Sequence, residues 1–284
     1  MKRLKDQTIK DNFVFAAAMM VGDNCKDLLE MVLGFKIAEV KVSNEKTIVY
    51  NPECRGIRLD VFAEDENRTR YNVEMQVSKV HIPRRCRYYH SQIDMEMLRS
   101  GEEYETMPDA YVIFVCDFDP FGERKYIYTV NNCIEECGYQ EFGDGSHTII
   151  LSTKGQNDAD VPEEIVKFLK YVAADKYVAS GNFGSEYVAR LQGTVDSICN
   201  NPSMEDKYMV LQEMIKQEHS IGYQEGHAEG KAIGLEEGRA EGRAEGRAEG
   251  RAETKKELAA KLISVGMPVE QVMELTGLAS DDIL

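Results

Sequence analysis

Residues 57–78 read IRLDVFAEDENRTRYNVEMQVS, and their alternation of apolar and polar side chains allows little besides a two-stranded hairpin. Asp65 to Thr69 are turn formers, so the chain is expected to fold back about Asn67. In that register Leu59, Val61 and Ala63 share one face with Val73, Met75 and Val77. Arg58, Asp60 and Phe62 share the other with Asn72, Glu74 and Gln76. Asp60 then lies directly across from Glu74, with Cβ atoms about 5 Å apart, and like charges so placed are destabilising. A divalent cation between them turns repulsion into coordination, and Mg²⁺ favours one or two carboxylates, a carbonyl oxygen and water. The alternation alone is equally that of a solvated polar face.

The flanking segments supply the rest of a fold. Residues 8–33 carry apolar side chains at helical spacing, including Phe13, Ala17, Met20, Leu28 and Leu29, with Gly22 and Gly34 as candidate breaks. Extended stretches are expected at 46–50, 57–64 and 70–78, followed by a helix over 83–99 opened by Pro83. DAYVIFVCDF at 109–118 reads as a buried strand, and weaker strands fall at 125–130 and 147–153. From Pro162 onward the pattern is helical. This order describes an α/β fold with a mixed central sheet, its core at 1–155 and a helical extension at 156–220.

A formal net charge of −16 excludes a protein coated in basic surface, so nucleic-acid contact requires a local basic patch. Seven scattered cysteines without a C-x-x-C pair point to reduced thiols in a cytoplasmic protein, not to a zinc site. The apolar run that follows Asn12 is closed by Asp23 and Asn24, too early to span a bilayer, and no membrane segment is expected elsewhere.

The hairpin resembles the D…E-x-Q hairpin of the Rpn family of recombination-promoting nucleases, within the PD-(D/E)xK superfamily. IKDNFVFAAAMM is similar to that family's opening helix, and RRCRYYHSQIDMEMLRSGEEYETMPDAYVIFVCDF to its R-x-x-Y-Y helix, the turn after it and the next strand. The resemblance covers about residues 5–155 and implies a restriction-endonuclease-like core that hydrolyses DNA with Mg²⁺ or Mn²⁺. It implies that Asp60, Glu74 and the backbone carbonyl of Met75 hold the metal, and that Asp11 completes the shell or holds a water. By residue type alone, Asp11 also reads as an acid favoured by the helix dipole. Gln76 stands where the wider superfamily has lysine. It is expected to position the attacking water by hydrogen bonding, without adding positive charge.

Between Glu74 and Asp94 no acidic residue occurs, and Lys79, His81, Arg84, Arg85, Arg87 and His90 fall in that window. Arg84 and Arg85 sit in the first turn of the expected helix, where the dipole disfavours cations but spare N–H groups favour a phosphate. Tyr88 and Tyr89 are placed to stack on bases or sugars, unless one of them faces the core. In the family pattern Arg85, Tyr88, Tyr89 and Gln92 lie nearest the cleft, so DNA contact is expected at these residues together with Lys79, Arg84 and Arg87.

Glycine recurs every fourth residue from Gly222 to Gly250, and the later units read EGRA. In a helix this period drifts by about 40° per unit and stacks Glu on Glu and Arg on Arg at i,i+4, which is mildly destabilising. Residues 221–253 are therefore expected to be a helix-prone spacer that joins copies into a homo-oligomer, or else a fraying low-complexity tether. Residues 254–284 read as a short helical module.

A metal-dependent DNA endonuclease in recombination, mobile-element movement or defence is the function these features carry. Two alternatives stand beside it: a catalytically weak nuclease fold that binds DNA or assembles, and an interaction protein working through the repeat.

Overall fold

The computed structural model describes residues 3–48, 57–98 and 101–282. The chain divides into two compact units, Met1–Leu211 and Gln212–Leu284.

The first unit opens with two short helices, α1 (Asn12–Met19) and α2 (Asn24–Leu33). The continuous helical spacing of 8–33 is broken where Gly22 takes a positive φ of 54°. Asp11 caps α1, its Oδ1 accepting from the amides of Phe13 at 3.1 Å and Val14 at 3.3 Å. Val14 to Met19 are all buried, so α1 is covered on every side.

Three antiparallel strands follow: β1 (Val40–Ile48), β2 (Ile57–Asp65) and β3 (Arg70–Gln76). Residues 49 and 50 of the expected first strand lie outside the described residues, as does Cys54. Asp65 shapes the β2–β3 turn, its Oδ1 accepting from Asn67 and Thr69 amides at 2.9 Å each, while Arg68 takes a left-handed φ of 67°. The observed register pairs Val61 with Val73, Phe62 with Asn72, Ala63 with Tyr71 and Glu64 with Arg70, as the alternation predicts. Helix α3 (Ile82–Met97) then crosses over to β4 (Ala110–Cys116), which runs parallel to β3. After β5 (Ile127–Val130) and a small hairpin of β6 (Cys133–Ile134) and β7 (Gln140–Glu141), β8 (Ser146–Ser152) joins β4 in parallel. The six-stranded sheet has the order β1-β2-β3-β4-β8-β5.

Both faces of the sheet are covered, which gives three layers. Val61, Ala63, Val73, Met75, Ile113, Val115 and Leu151 point into one core, shared with α1, α2, α4 (Glu163–Ala173) and α6 (Glu186–Cys199). Helix α5 (Lys176–Ala179) is a single turn between the last two. Phe62, Val112, Phe114, Cys116 and Ile150 point to the other side, where Ile82, Cys86, Tyr89, Ile93 and Met97 of α3 meet them. Helices α4 and α6 thus share one core with the sheet. Val77, expected on the inner face, is 48% exposed, because β3 ends at Gln76.

Helix α7 (Pro202–Ser264) carries the whole glycine repeat. From 226 to 258 every residue is exposed, and a Cβ at any glycine from Gly222 to Gly250 would meet no atom within 4 Å. In the second unit α8 (Val269–Thr276) turns back after Gly266, buries Val272 and Thr276, and Ala259 is covered with them. Lys256 and Asp282 pair at 3.6 Å. Among the described residues, no helix is long and apolar enough to cross a membrane.

Candidate active site

Strands β2 and β3 part at Asp60. Their ladder stops at Val61–Val73, while β2 stays paired with β1 as far as Ile57. The β1–β2 register also skips Asp60, passing from Asn44–Val61 to Lys46–Leu59. Side chains take over where the ladder ends. Glu74 Oε1 accepts from the Asp60 amide at 3.1 Å, and Asp60 Oδ2 accepts from the Met75 amide at 3.3 Å. Met75 thus turns its amide toward β2, and in a pleated strand the carbonyl of the same residue points the same way. The registered pairing of β2 with β3 has ended by that point.

Each acid is held by further groups. Asn12, at the start of α1, donates its Nδ2 to Asp60 Oδ2 at 2.8 Å. Asn72 donates its Nδ2 to Glu74 Oε1 at 3.2 Å, and its own Oδ1 is buried without a partner among the described residues. Glu74 is 3% exposed. Burial, and then the neighbouring Asp60 carboxylate, push the Glu74 pKa up to about 8. Burial beside a second acid leaves the Glu74 carboxylate only partly balanced by the Arg85 guanidinium at 3.3 Å. Asp60, Glu74 and the Met75 carbonyl therefore form an all-oxygen donor set of the kind hard divalent cations take. Among the described residues no group of three His, Cys, Asp or Glu side chains is arranged to hold a metal.

Helix α3 closes the site from above. His81 caps it, Nδ1 accepting from the Arg84 amide at 3.3 Å, and Pro83 opens its first turn. Arg85 reaches back over β3, donating Nη1 to Gln76 Oε1 and Nη2 to Glu74 Oε2 at 3.3 Å. Its Nη2 also meets the Tyr89 hydroxyl at 2.5 Å. Gln76 Nε2 donates to Ser78 O at 2.8 Å and Ser78 Oγ at 3.1 Å, so its amide is engaged at both ends.

Asp60, Glu74, Met75, Gln76, Arg85 and Tyr89 are thus brought together. Lys79, Arg84 and Arg87 are exposed, and Tyr88 is partly buried against the core under α3. Gln92 is buried farther along the helix. His90 leaves the basic window: it is buried, its Nε2 contacts Thr148 Oγ1 at 2.9 Å, and burial pushes its pKa down to about 4, so it is neutral. Asp11 points its Oδ1 at the amides of α1, and its Oδ2 accepts from the Tyr208 hydroxyl at 3.3 Å. Sequence reasoning did not find Asn12, Asn72 or the bridging contacts of Arg85. The family pattern had already put Arg85 near the cleft, and the structure adds its contacts to Gln76 and Glu74.

A three-layered α/β fold whose paired acids sit where two central strands part is the architecture of a PD-(D/E)xK nuclease. The family model described as PD-(D/E)XK nuclease family transposase matches residues 23–172, more than half of the chain, and the chain belongs to that family. The matched stretch holds both acids, Gln76 and α3, and begins after Asp11 and Asn12. Neither the curated proteins nor the solved structures compared with the chain match it.

Proposed function

We propose that this chain is a divalent-metal-dependent DNA endonuclease, acting in recombination, mobile-element movement or defence. The observation that carries the proposal is the parting of β2 and β3 at Asp60, where each carboxylate accepts an amide from the opposite strand; the Met75 carbonyl lies on the same edge of β3 as its amide. Asp60, Glu74 and that carbonyl would hold the cation, Mg²⁺ or Mn²⁺. Such a cation supplies a water of lowered pKa and a counter-charge for the phosphate.

The chain's own residues do the rest. Asn12 and the Met75 amide orient Asp60, while Asn72 and the Asp60 amide orient Glu74. Gln76 lies one step along the same face, where it helps to order the attacking water. Lys79, Arg84 and Arg87, all exposed, would meet the phosphate backbone. Tyr88 and Gln92 belong to the same helix, and our reading keeps them as contacts that shape the cleft. Asp11 caps α1, and our reading gives the adjacent Asn12 its place at the acids.

The repeat is read as the homo-oligomerisation segment. A Cβ at any of its glycines would meet no atom within 4 Å, and its EGRA units stack Glu on Glu and Arg on Arg at i,i+4, so a second copy would fill the space and pair the charges.

The test compares nicking of supercoiled plasmid by wild type, Asp60→Ala and Glu74→Ala with Mg²⁺ or Mn²⁺. Cutting by wild type alone is expected. Equal nicking by all three would remove the acids from catalysis. Retained DNA binding without cutting by any of them would favour a binding or assembly role.

A further inference from the structure

The strand that ends Glu74-Met75-Gln76 carries an amide where a lysine would bring a cation beside the acids, so this end of β3 supplies no positive charge. The site nevertheless contains one. Arg85 reaches it from the first turn of α3, with Nη1 on Gln76 Oε1 and Nη2 on Glu74 Oε2 at 3.3 Å. The guanidinium carbon lies 5.2 Å from the ring centres of both Tyr89 and Phe114, so two aromatic faces fix its position.

This placement differs from that of a surface arginine in three ways. A guanidinium only donates, so Gln76 must present its carbonyl oxygen to Arg85, which leaves the Gln76 amide group for Ser78. Gln76 thus joins the cation to the strand. A guanidinium keeps its charge throughout the working pH range, so Arg85 sets a fixed positive charge 3.3 Å from the Glu74 carboxylate. Finally, one third of its side chain is exposed. The contacts to Gln76, Glu74 and Tyr89 use three of its five N–H donors, which leaves two for a substrate oxygen. Arg84 and Arg87 on the same helix are exposed and lack these contacts.

Resting on the nuclease reading above, we propose that Arg85, seated on Gln76, is the catalytic cation of this site and faces the phosphoryl group under attack. In the step, a water oxygen forms a bond to phosphorus as one P–O ester bond breaks. A proton leaves the water for solvent, and the departing oxygen takes one up. Arg85 neither gives nor takes a proton, because its pKa lies far above neutrality. It opposes the negative charge that grows on the phosphoryl oxygens, which is where a preorganised donor has most effect.

The experiment measures plasmid cutting at saturating Mn²⁺ from pH 6 to 9 for wild type, Arg85→Gln, Arg85→Lys and the double variant Arg85→Gln/Gln76→Lys. Calorimetric Mn²⁺ binding and circular dichroism are recorded on each protein. Arg85→Gln should lose about 10²- to 10³-fold in kcat, the usual cost of removing one preorganised donor. Its Mn²⁺ affinity should hold or rise, since a competing cation has left Glu74. Arg85→Lys should retain more activity. The double variant should regain at least tenfold over Arg85→Gln, with a new alkaline limb in its pH profile from the strand lysine. Cutting by Arg85→Gln within threefold of wild type overturns the proposal. Loss of cutting together with Mn²⁺ binding, without rescue by Gln76→Lys, overturns it in favour of a purely structural arginine. A wild type that does not cut at saturating Mn²⁺ removes the nuclease reading itself, and the role of Arg85 with it.

Discussion

Asp60 and Glu74 replace the ladder between their strands: Glu74 Oε1 accepts the Asp60 amide at 3.1 Å, and Asp60 Oδ2 accepts the amide next to Glu74 at 3.3 Å. Each carboxylate thus satisfies a backbone donor that the parting of β2 and β3 would otherwise leave unpaired. The pair is structural and electrostatic at once, and its protonation state should register in stability. The folded pKa of Glu74, about 8, lies above its ordinary value of 4.5. A carboxyl raised in this way stabilises the fold below its unfolded pKa, and that contribution is lost as pH rises through the folded value. Metal-free wild type should therefore melt progressively lower between pH 5 and 8.5. Glu74→Gln, which cannot ionise, should stay flatter and exceed wild type at pH 8.5 by about 4–8 °C, for an effect on the order of 2 kcal/mol. Thermal melts in EDTA give the comparison, and parallel curves for the two proteins would refute it.

Asn12 offers a test of support from outside the hairpin. It is exposed, and its hydrogen bond to Asp60 at 2.8 Å crosses from α1 to β2. Asn12→Ala should reduce cutting or metal affinity by about 10- to 100-fold, the usual effect of removing a group that orients a ligand. Stability should change by less than about 1 kcal/mol, because little is buried. Unchanged Mn²⁺ titration and cutting would show that Asp60 needs no such hold.

Asn72 separates stability from function. Its Nδ2 serves Glu74 at 3.2 Å, while its Oδ1 is buried without a partner among the described residues. A buried acceptor left unsatisfied costs about 1–3 kcal/mol. Asn72→Leu, similar in volume, should leave the melting temperature equal or higher while cutting falls. A strongly destabilised variant would mean that Oδ1 is satisfied in solution.

The repeat makes the opposite kind of prediction. Gly238, Gly242 and Gly246 have open space where a Cβ would sit, so replacing all three by alanine creates no clash within the chain. Each change should favour helix by about 0.8–1 kcal/mol, seen as greater helicity on heating in circular dichroism. If glycine instead admits a second copy closely, sedimentation will show weaker association in the same variant. Firmer helix with undiminished association would rule out the glycines as the contact.

Much of this was legible in residues 57–78 because a period of two is a local property. The register of Val61 with Val73 follows from it directly, whereas Asp60 and Glu74 meet through a carboxylate and an amide after that pairing has ended. The same pattern did not show that the polar face is buried. Asn72, Glu74 and Gln76 look solvated until α3 is laid over them, and that covering depends on tertiary packing. Residues 8–33 carried helical spacing throughout, yet Gly22 divides them, since spacing alone cannot say which glycine turns the chain. Arg85 read as a phosphate contact from its place in the basic window, the first turn of the helix and the family pattern. Only the length and direction of its side chain bring it to Gln76. Asn12 was invisible for a simpler reason: 48 residues separate it from Asp60.

Asp60, Glu74, Gln76 and Arg85 come from one hairpin and the first turn of the following helix. Contacts so near in sequence close early, since hairpins form in about 1–10 μs, whereas the hold from α1 requires a long loop to close. The two acids therefore confront each other while most of the chain is still unstructured. A divalent cation present during refolding would then stabilise the transition state, and its effect would appear in the folding rate as well as in the unfolding rate.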